Sequence, residues 1–203
     1  MNLKDENNVA DQPLVDKVLR GNTNAFKTII KNTEGLVAQI VFKMIPNAED
    51  RKDIAQDIYL KTFQKLGTFK FQSKLSTWIG QIAYNTCINY LEKKKLVLLD
   101  NINDDTESDD EALEKMNSKI EPFSNETENL IFKKELSEIL KNEIDNLSPV
   151  YKTLITLYHI EELYYSEIAE ITELPEGTIK NYLFRARKTL RNNLLLTYKR
   201  EAL

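Results

Sequence analysis

The stretch YSEIAEITELPEGTIKNYLFRARKTLR, residues 165–191, places a short apolar helix, a turn and a longer basic helix in immediate succession. The turn between the two helices is predicted over residues 172–175, Thr-Glu-Leu-Pro. Ser166 is predicted to cap the short helix, which runs through Ile171, and the long helix is predicted over about 176–196. This order is typical of a helix-turn-helix, whose second helix enters the major groove of DNA.

The final helix is apolar on one side and polar on the other. The apolar side is predicted to face a core and comprises Ile179, Tyr182, Leu183, Ala186 and Leu190. The opposite side comprises Asn181, Phe184, Lys188 and Arg191, flanked by Lys180, Arg185 and Arg187. Arg and Lys can bond guanine, Asn suits adenine, an exposed Phe can cover a thymine methyl, and Arg187 at the edge is assigned to phosphate. A merely solvated charged face is the alternative, but it does not account for Phe184.

Two further helices are predicted upstream of this stretch. One lies around 130–146, and the next starts at Ser148 and Pro149, an N-cap followed by proline in the first turn. That helix is predicted to end at about His159, the only histidine of the chain. A lone histidine in an apolar stretch is usually structural, so we expect no catalytic or metal-binding role.

Composition favours an all-α protein of one or two small domains. The 203 residues include only five Gly and five Pro, and 41% are hydrophobic. No apolar run suits a signal peptide or a membrane span, so the sequence predicts a cytoplasmic protein without membrane insertion. Cys87 is the only cysteine, and neither a metal-ligand cluster nor a Gly-rich phosphate loop is present. We therefore expect no enzyme activity, no metal and no cofactor.

Charge divides the chain into three parts. Residues 1–99 carry 15 basic and 10 acidic groups, residues 100–128 carry 2 and 11, and residues 129–203 carry 11 of each. The acidic middle has few apolar positions and is predicted to be a flexible linker. It separates a domain at 12–98 from one at 129–196, with the linker at 99–128.

The front domain is predicted to contain four helices after a polar, frayed start. The first covers 12–20 and stops at Gly21, and Asn22 caps the second, which is apolar at helical spacing until Pro46. The third and fourth are predicted over about 49–66 and 77–95.

The third helix has a buried and an outer side. The buried side is predicted to comprise Ile54, Ala55, Ile58, Tyr59, Thr62, Phe63 and Leu66. The outer side comprises Asp53, Gln56, Asp57, Lys61 and Gln64, with Leu60 among them. A single exposed leucine is normal, but one ringed by polar groups also suits the centre of a protein contact, and the pattern leaves both open.

The fourth helix and the loop before it form a second candidate nucleic-acid surface. Trp78, Gln81, Asn85 and Asn89 share one side of the helix, Phe69, Phe71, Ser73 and Lys74 lie in the loop, and lysines 93–95 close the helix. Aromatic, amide and cationic groups together suit single-stranded DNA. The alternative is that Trp78 belongs to the core and that the lysines complement the helix dipole.

Three segments in order, DIAQDIYLKTFQKL (53–66), FKFQSKLSTWIGQIAYNTCINYLEKKK (69–95) and residues 165–191, resemble the signatures of extracytoplasmic-function (ECF) sigma factors of the sigma-70 family. The resemblance implies a sigma region 2-like front domain and a region 4-like back domain. It implies that the protein binds core RNA polymerase, through its β′ and β subunits, and directs transcription initiation at promoter DNA.

The resemblance also implies roles for matching positions. The residues that it assigns to contact with the polymerase are Asp53, Gln56, Asp57, Leu60 and Lys61. The residues that it assigns to melting and recognition of the −10 element are Phe71, Ser73, Lys74, Trp78, Asn85 and Asn89. The residues that it assigns to recognition of the −35 element are Lys180, Asn181, Phe184, Arg185 and Lys188.

Family members are commonly held inactive by a membrane-bound anti-sigma factor, and the linker commonly threads the RNA channels of the polymerase. Two other functions remain open on the residues alone. One is a stand-alone DNA-binding regulator that uses only the helix-turn-helix, and the other is a helical scaffold that binds only proteins.

Overall fold

Eight α-helices account for nearly all of the part of the chain that is described. The computed structural model describes residues 3–99 and 126–201, with side chains over 11–94 and 136–196. The helices are α1 (Leu3–Leu19), α2 (Thr23–Met44), α3 (Ala48–Lys65), α4 (Leu75–Leu99), α5 (Glu126–Asp145), α6 (Pro149–His159), α7 (Tyr165–Thr172) and α8 (Glu176–Glu201). A short 3-10 helix, Leu66–Thr68, follows α3. The prediction of an all-α fold is confirmed.

Polar side chains cap several helix starts. The Ala25 N–H donates to Asn22 Oδ1 at 3.1 Å, and the Glu49 N–H donates to Asn47 Oδ1 at 3.1 Å. Ser148 is the N-cap of α6, whose first residue is a proline. These contacts satisfy amide groups that have no partner inside a helix. The predicted starts at Asn22 and Ser148 are confirmed.

The prediction of Ser166 as a cap is wrong. Helix α7 already begins at Tyr165, with Tyr164 as its N-cap residue. The Glu167 carboxylate accepts the Tyr164 N–H at 3.0 Å, so an acidic side chain in the first turn satisfies the amide of the N-cap residue.

Helix α1 is longer than the sequence predicts. It begins at Leu3 instead of residue 12, and Pro13 lies inside it although proline usually marks a first turn. The helix ends where expected, because Gly21 follows with a φ of 90°, a conformation that glycine adopts without steric cost.

The front half packs around α2, which contacts α1, α3 and α4. The fully buried side chains include Ile29, Ile40, Met44, Ile58 and Ile79. Phe63 was predicted to be buried with them, but it is 49% exposed, and its ring meets that of the half-buried Phe26 in a T-shaped arrangement with centroids 5.1 Å apart. The prediction that Phe63 is buried was therefore wrong: its ring lies at the border of the buried side of α3 and keeps about half of its surface exposed.

A polar network fastens the start of α3 to α4. The Tyr90 hydroxyl donates to Asp50, Asn47 Nδ2 donates to the same carboxylate at 2.8 Å, and Lys94 Nζ lies 3.5 Å from it. The hydrogen bond from Tyr90 is the main cause of a lowered pKa of Asp50. The ionised carboxylate is therefore the form that this network holds.

The back half is a helix-turn-helix supported by two preceding helices. Helix α8 contacts α5, α6 and α7, and the fully buried side chains Leu157, Ile168, Ile171, Ile179 and Leu183 lie among them. Between α7 and α8 the chain turns at Glu173, whose φ is 57°. The turn predicted over residues 172–175 is therefore present.

The two halves are packed against each other. Helix α2 contacts α6, and α4 contacts α7, so that the buried residues form one continuous core. Lys43 Nζ of α2 also pairs with Asp145 Oδ1 at the end of α5, at 2.7 Å. Neither helical periodicity nor composition predicts this packing of the two halves.

The ends of the predicted linker are helical. Leu99 is the last residue of α4, and residues 126–128 belong to α5. Residues 100–125, which contain most of the acidic groups of the predicted linker, lie outside the described residues. The described helices include none that is long and apolar enough to cross a membrane.

We expect Ile58→Ala to lower the free energy of unfolding by about 2–5 kcal/mol, because it leaves a cavity in a fully buried position. Urea denaturation followed by circular dichroism measures the change. Leu60→Ala on the same helix is the control: Leu60 is 56% exposed, so its loss is expected to change the free energy by less than about 0.5 kcal/mol. Equal losses in the two variants would contradict the observed burial of α3.

Candidate nucleic-acid interface

The polar side of α8 lies on the surface. Phe184 is 46% exposed, and Lys180, Asn181 and Arg185 are exposed as well, while Lys188 is half-buried. On the opposite side, Ile179, Leu183 and Ala186 are completely buried. The structure therefore brings together the five residues predicted to read DNA, on one accessible helix face around an aromatic ring.

An aromatic stack supports the cationic side chains at the edge of this face. The rings of Tyr158 and Tyr165 stack with centroids 4.9 Å apart. Lys180 Nζ lies 5.2 Å from the Tyr165 centroid, and the Arg187 guanidinium lies 5.3 Å from that of Tyr158. Cations are attracted to the faces of such rings, so both side chains are held towards the stack. The helical periodicity of the final helix could not predict this support, because the two tyrosines belong to other helices.

His159 is a surface partner of Arg187. The Arg187 Nε–H donates to His159 Nε2 at 3.3 Å, at the exposed end of α6. Burial, and secondarily the charge of Arg187, lowers the pKa of His159. The neutral imidazole is the form that can accept this hydrogen bond. Within the described ranges, no three His, Cys, Asp or Glu side chains are grouped so that they could hold a metal ion.

The loop before α4 contributes a compact aromatic cluster. The Phe69 ring lies 4.7 Å from that of Phe71 and 5.2 Å from that of Trp78, measured between centroids. Phe69 is buried, but Phe71 and Trp78 are half-buried and retain exposed surface. Phe71 has a φ of 55°, which is uncommon for a residue other than glycine. The cluster is thus part core and part surface, and Trp78 packs on Phe69 while keeping part of its ring accessible.

A cleft runs from this cluster along α4. Trp78, Asn85 and Asn89 line it, as predicted for one side of the helix. Gln81 lines it as well, and Lys61 and Lys65 of α3 form its cationic border. Lys65 was missed by the sequence reasoning, because only the structure shows that the end of α3 faces α4.

Two loop residues that were predicted to act with α4 do not line the cleft. Ser73 lies with Phe69 and Lys70 at a neighbouring hollow that Glu170 also borders. Lys74 turns to the back half, where its Nζ pairs with Glu167 Oε1 at 2.8 Å. The structure therefore does not bring Lys74 together with Asn85 and Asn89.

The outer side of α3 is exposed around Leu60. Asp53 and Gln56 are exposed, Asp57 is half-buried, and Lys61 Nζ pairs with Asp57 Oδ2 at 2.7 Å. Lys61 Nζ also lies 3.4 Å from Thr86 Oγ1 of α4, so this lysine lies between the outer face and the cleft. The five residues predicted for polymerase contact form one surface with a leucine in its centre.

Comparisons with known proteins agree in both halves of the chain. Residues 29–97 match the family described as sigma-70 region 2, and residues 137–190 match sigma-70, region 4. The ECF RNA polymerase sigma-E factor of Escherichia coli (strain K12) is 32% identical over 190 residues, which cover 92% of this chain and 95% of that protein. The sigma-E factor of Haemophilus influenzae is 30% identical over 188 residues, covering 92% and 96%.

Solved structures share the fold at lower identity. One is the sigma factor RpoE in complex with the anti-sigma factor NepR from Bartonella quintana, with a TM-score of 0.59, 20% identity, and coverage of 83% of this chain and 96% of that chain. Another is CnrH in complex with the cytosolic domain of CnrY, with a TM-score of 0.58, 17% identity, and coverage of 91% and 97%.

We expect the pKa of His159, followed by NMR of its imidazole, to lie below the usual value of about 6.5. Arg187→Gln is expected to raise this pKa only partly, because burial is the larger cause of the shift. Lys180→Gln removes a cation from the same helix without touching His159 and is expected to leave the pKa unchanged. A midpoint at or above 6.5 in the unaltered protein would contradict the contact between His159 and Arg187.

Proposed function

The chain belongs to the ECF sigma factors of the sigma-70 family, and we propose that it binds core RNA polymerase and directs initiation at promoters with −10 and −35 elements. The observation that carries this function is that both halves match sigma-70 regions and that each half has its own face suited to nucleic acid. A stand-alone regulator would need only the second face. The similarity to sigma-E factors extends over 92% of the chain, which leaves no large part without a role.

The division of labour that we propose follows the two halves. Residues 12–98 act as the region 2-like domain, which binds polymerase and the −10 element, and residues 129–196 act as the region 4-like domain, which reads the −35 element. The segment 99–128 links them, and its acidic residues suit the cationic RNA channels of a polymerase.

Helix α8 is proposed to read the −35 element in the major groove. Arg185 and Lys188 can donate to guanine O6 and N7, Asn181 can pair with adenine, and Phe184 can pack on a thymine methyl. Lys180 and Arg187, held near the tyrosine stack, are better placed to meet phosphates at the edge of the contact.

The cleft along α4 is proposed to hold the melted −10 strand. Phe71 and Trp78 offer partly exposed rings on which an unstacked base can lie, and Asn85 and Asn89 offer amides to its polar edge. Lys61 and Lys65 supply positive charge for the phosphates. Capture of an unpaired base stabilises the open promoter by binding alone, so the proposed function requires no catalytic residue, metal or cofactor.

The outer face of α3 is proposed to dock on the β′ subunit of polymerase. Leu60 supplies an apolar centre, and Asp53, Gln56, Asp57 and Lys61 form a polar rim, which is the usual anatomy of a protein contact. Polymerase acts in the bacterial cytoplasm, which is therefore the proposed location. The similarity to RpoE, whose solved complex contains the anti-sigma factor NepR, supports the proposal of an anti-sigma partner for this chain as well.

Reversing two charges on α8 tests the −35 assignment. We expect Arg185→Glu with Lys188→Glu to reduce run-off transcription from a cognate promoter by about tenfold or more, since each good base contact contributes ~1–3 kcal/mol. Binding to core polymerase should be unchanged. Lys27→Glu with Lys31→Glu makes the same charge change on exposed positions of α2 and is expected to retain activity. Undiminished transcription by the α8 variant would favour a protein-binding scaffold over a promoter-reading factor.

Truncating Leu60 tests the polymerase assignment. We expect Leu60→Ala to weaken binding to core polymerase by about tenfold or more, the scale of a central interface residue, with no loss of folding. Fluorescence anisotropy of labelled protein with core enzyme measures the affinity. Leu195→Ala is the matched control, because Leu195 is 51% exposed and lies at the far end of α8. Equal affinity in both variants would remove α3 from the interface.

A further inference from the structure

A side chain of α1 caps the helix that carries the proposed −10 site. Asp11 Oδ2 accepts a hydrogen bond from the Leu75 N–H at 3.0 Å, and Leu75 is the first residue of α4. The N–H groups in the first turn of a helix have no partner inside it, and an acidic group there also interacts favourably with the helix dipole. A cap of α4 is thus provided by a residue that lies 64 positions earlier in the chain.

The residue directly before α4 cannot provide this acceptor with its own side chain. It is Lys74, whose ammonium group donates hydrogen bonds and accepts none. Its Nζ pairs with Glu167 Oε1, at 2.8 Å. An N-cap residue usually offers the acceptor to its own helix, as Asn22 does for α2 and Asn47 does for α3. At the start of α4, a side chain from another helix takes over this task.

Helix α1 also touches the other end of the loop that precedes α4. This loop comprises residues 69–74 and follows the short helix Leu66–Thr68, which α1 contacts. A Cβ atom at Gly67 would lie 3.7 Å from Leu19 Cδ2, an ordinary van der Waals distance. Leu19 and Asp11 belong to the same helix and are separated by about two turns. One rigid helix therefore holds both ends of the loop.

The loop requires this restraint because its backbone is strained. Phe71 has a φ of 55°, in the left-handed region that residues with side chains rarely adopt. Such a conformation costs free energy and persists only where the surrounding structure holds it. The Phe71 ring lies 4.7 Å from that of Phe69, which lies 5.2 Å from that of Trp78. The aromatic surface proposed for an unstacked base therefore depends on how the ends of the loop are held.

We infer that Asp11 is a positioning residue for the −10 site: it caps α4 from α1 and thereby keeps Phe71 and Trp78 in the arrangement that receives the melted strand. This inference rests on the proposed role of the cleft along α4. Asp11 lies outside the predicted front domain, which begins at residue 12, and outside residues 29–97, which match sigma-70 region 2. Its contact with α4 becomes visible only in the folded chain.

The fluorescence of Trp78, the only tryptophan of the chain, reports on the loop. We expect Asp11→Ala to shift the emission to longer wavelength and to increase its quenching by acrylamide, because the aromatic cluster loosens. Asp11→Asn keeps an oxygen acceptor and is expected to leave the emission unchanged. Asn22→Ala is the matched control, since it removes a comparable cap, at 3.1 Å, from α2. It is expected to lower stability by a similar amount without changing the emission of Trp78.

Promoter opening by the holoenzyme tests the functional part of the inference. The probe is a cognate promoter duplex with 2-aminopurine in the −10 element, whose fluorescence rises when the strands separate. We expect Asp11→Ala to reduce promoter opening and run-off transcription by about three- to tenfold, the scale of a lost helix cap, while binding to core polymerase is unchanged. Asp11→Asn should restore both activities, and Asn22→Ala should open the promoter as the unaltered protein does.

Hydrogen exchange of the Leu75 amide, followed by NMR, examines the capping contact without polymerase. We expect this amide to be protected in the unaltered protein and to exchange about threefold faster or more in Asp11→Ala. An unprotected Leu75 amide in the unaltered protein would overturn the inference, and this measurement does not depend on the folding of any variant.

Three results with the holoenzyme would also contradict the inference. One is unchanged promoter opening by Asp11→Ala, whatever the emission of Trp78. Another is an equal defect in Asn22→Ala, since a general loss of stability would then account for the effect. The third is an equal defect in Asp11→Asn, which would show that the acceptor oxygen is not what matters.

Failure of the proposed function has a different signature. If the unaltered protein directs no transcription with core polymerase, the sigma-factor assignment is wrong, whereas the measurements on Trp78 and on the Leu75 amide are unaffected. If the unaltered protein directs transcription and Asp11→Ala does so equally well, only the positioning role of Asp11 is wrong.

Discussion

The burial of α7 on two sides is the constraint on which the arrangement of the chain depends. This helix has only eight residues, too few to be stable alone in water. It is held because Ile168 and Ile171 are completely buried, and because its neighbours are α8 on one side and α4 on the other. The contact with α8 supports the helix that is proposed to read the −35 element, whereas the contact with α4 joins the two halves. One short element thus fixes the geometry of both proposed DNA surfaces.

Transcription initiation of this kind requires surfaces and not reactive groups, and the distribution of side chains agrees with that requirement. The single cysteine is buried and its thiol has a pKa of about 12, and the single histidine serves as an acceptor for Arg187. The exposed aromatic, amide and cationic groups instead lie on helix faces whose backs are packed into the core. Rigid helices hold such groups in register better than loops do, and a binding protein gains affinity from that preorganisation.

The sequence predicted the features that are local. The spacing of apolar residues identified the helices, and Asn22 and the Ser148–Pro149 pair marked two helix starts. Helical periodicity also separated the exposed Phe184 from the buried Leu183 of α8. It failed where a distant partner decides the outcome. Phe63 is 49% exposed although the periodicity of α3 places it on the buried side, and Lys74 pairs with Glu167, which lies far along the chain. Helical periodicity gives the direction of a side chain but not the identity of the element opposite to it.

The back half has no net charge, but the fold places its acidic and its basic side chains on different surfaces. Residues 129–203 contain 11 basic and 11 acidic groups, so their sum predicts no preference for nucleic acid. In the folded protein, Glu167 and Glu173 face α4, whereas Arg185 and Lys180 lie on the exposed polar side of α8. Electrostatic attraction depends on the field at the contact surface and not on the net charge of the domain. The same domain can therefore present a cationic helix face to duplex DNA, while its carboxylates at 167 and 173 pair with Lys74 and Gln81 of the front half.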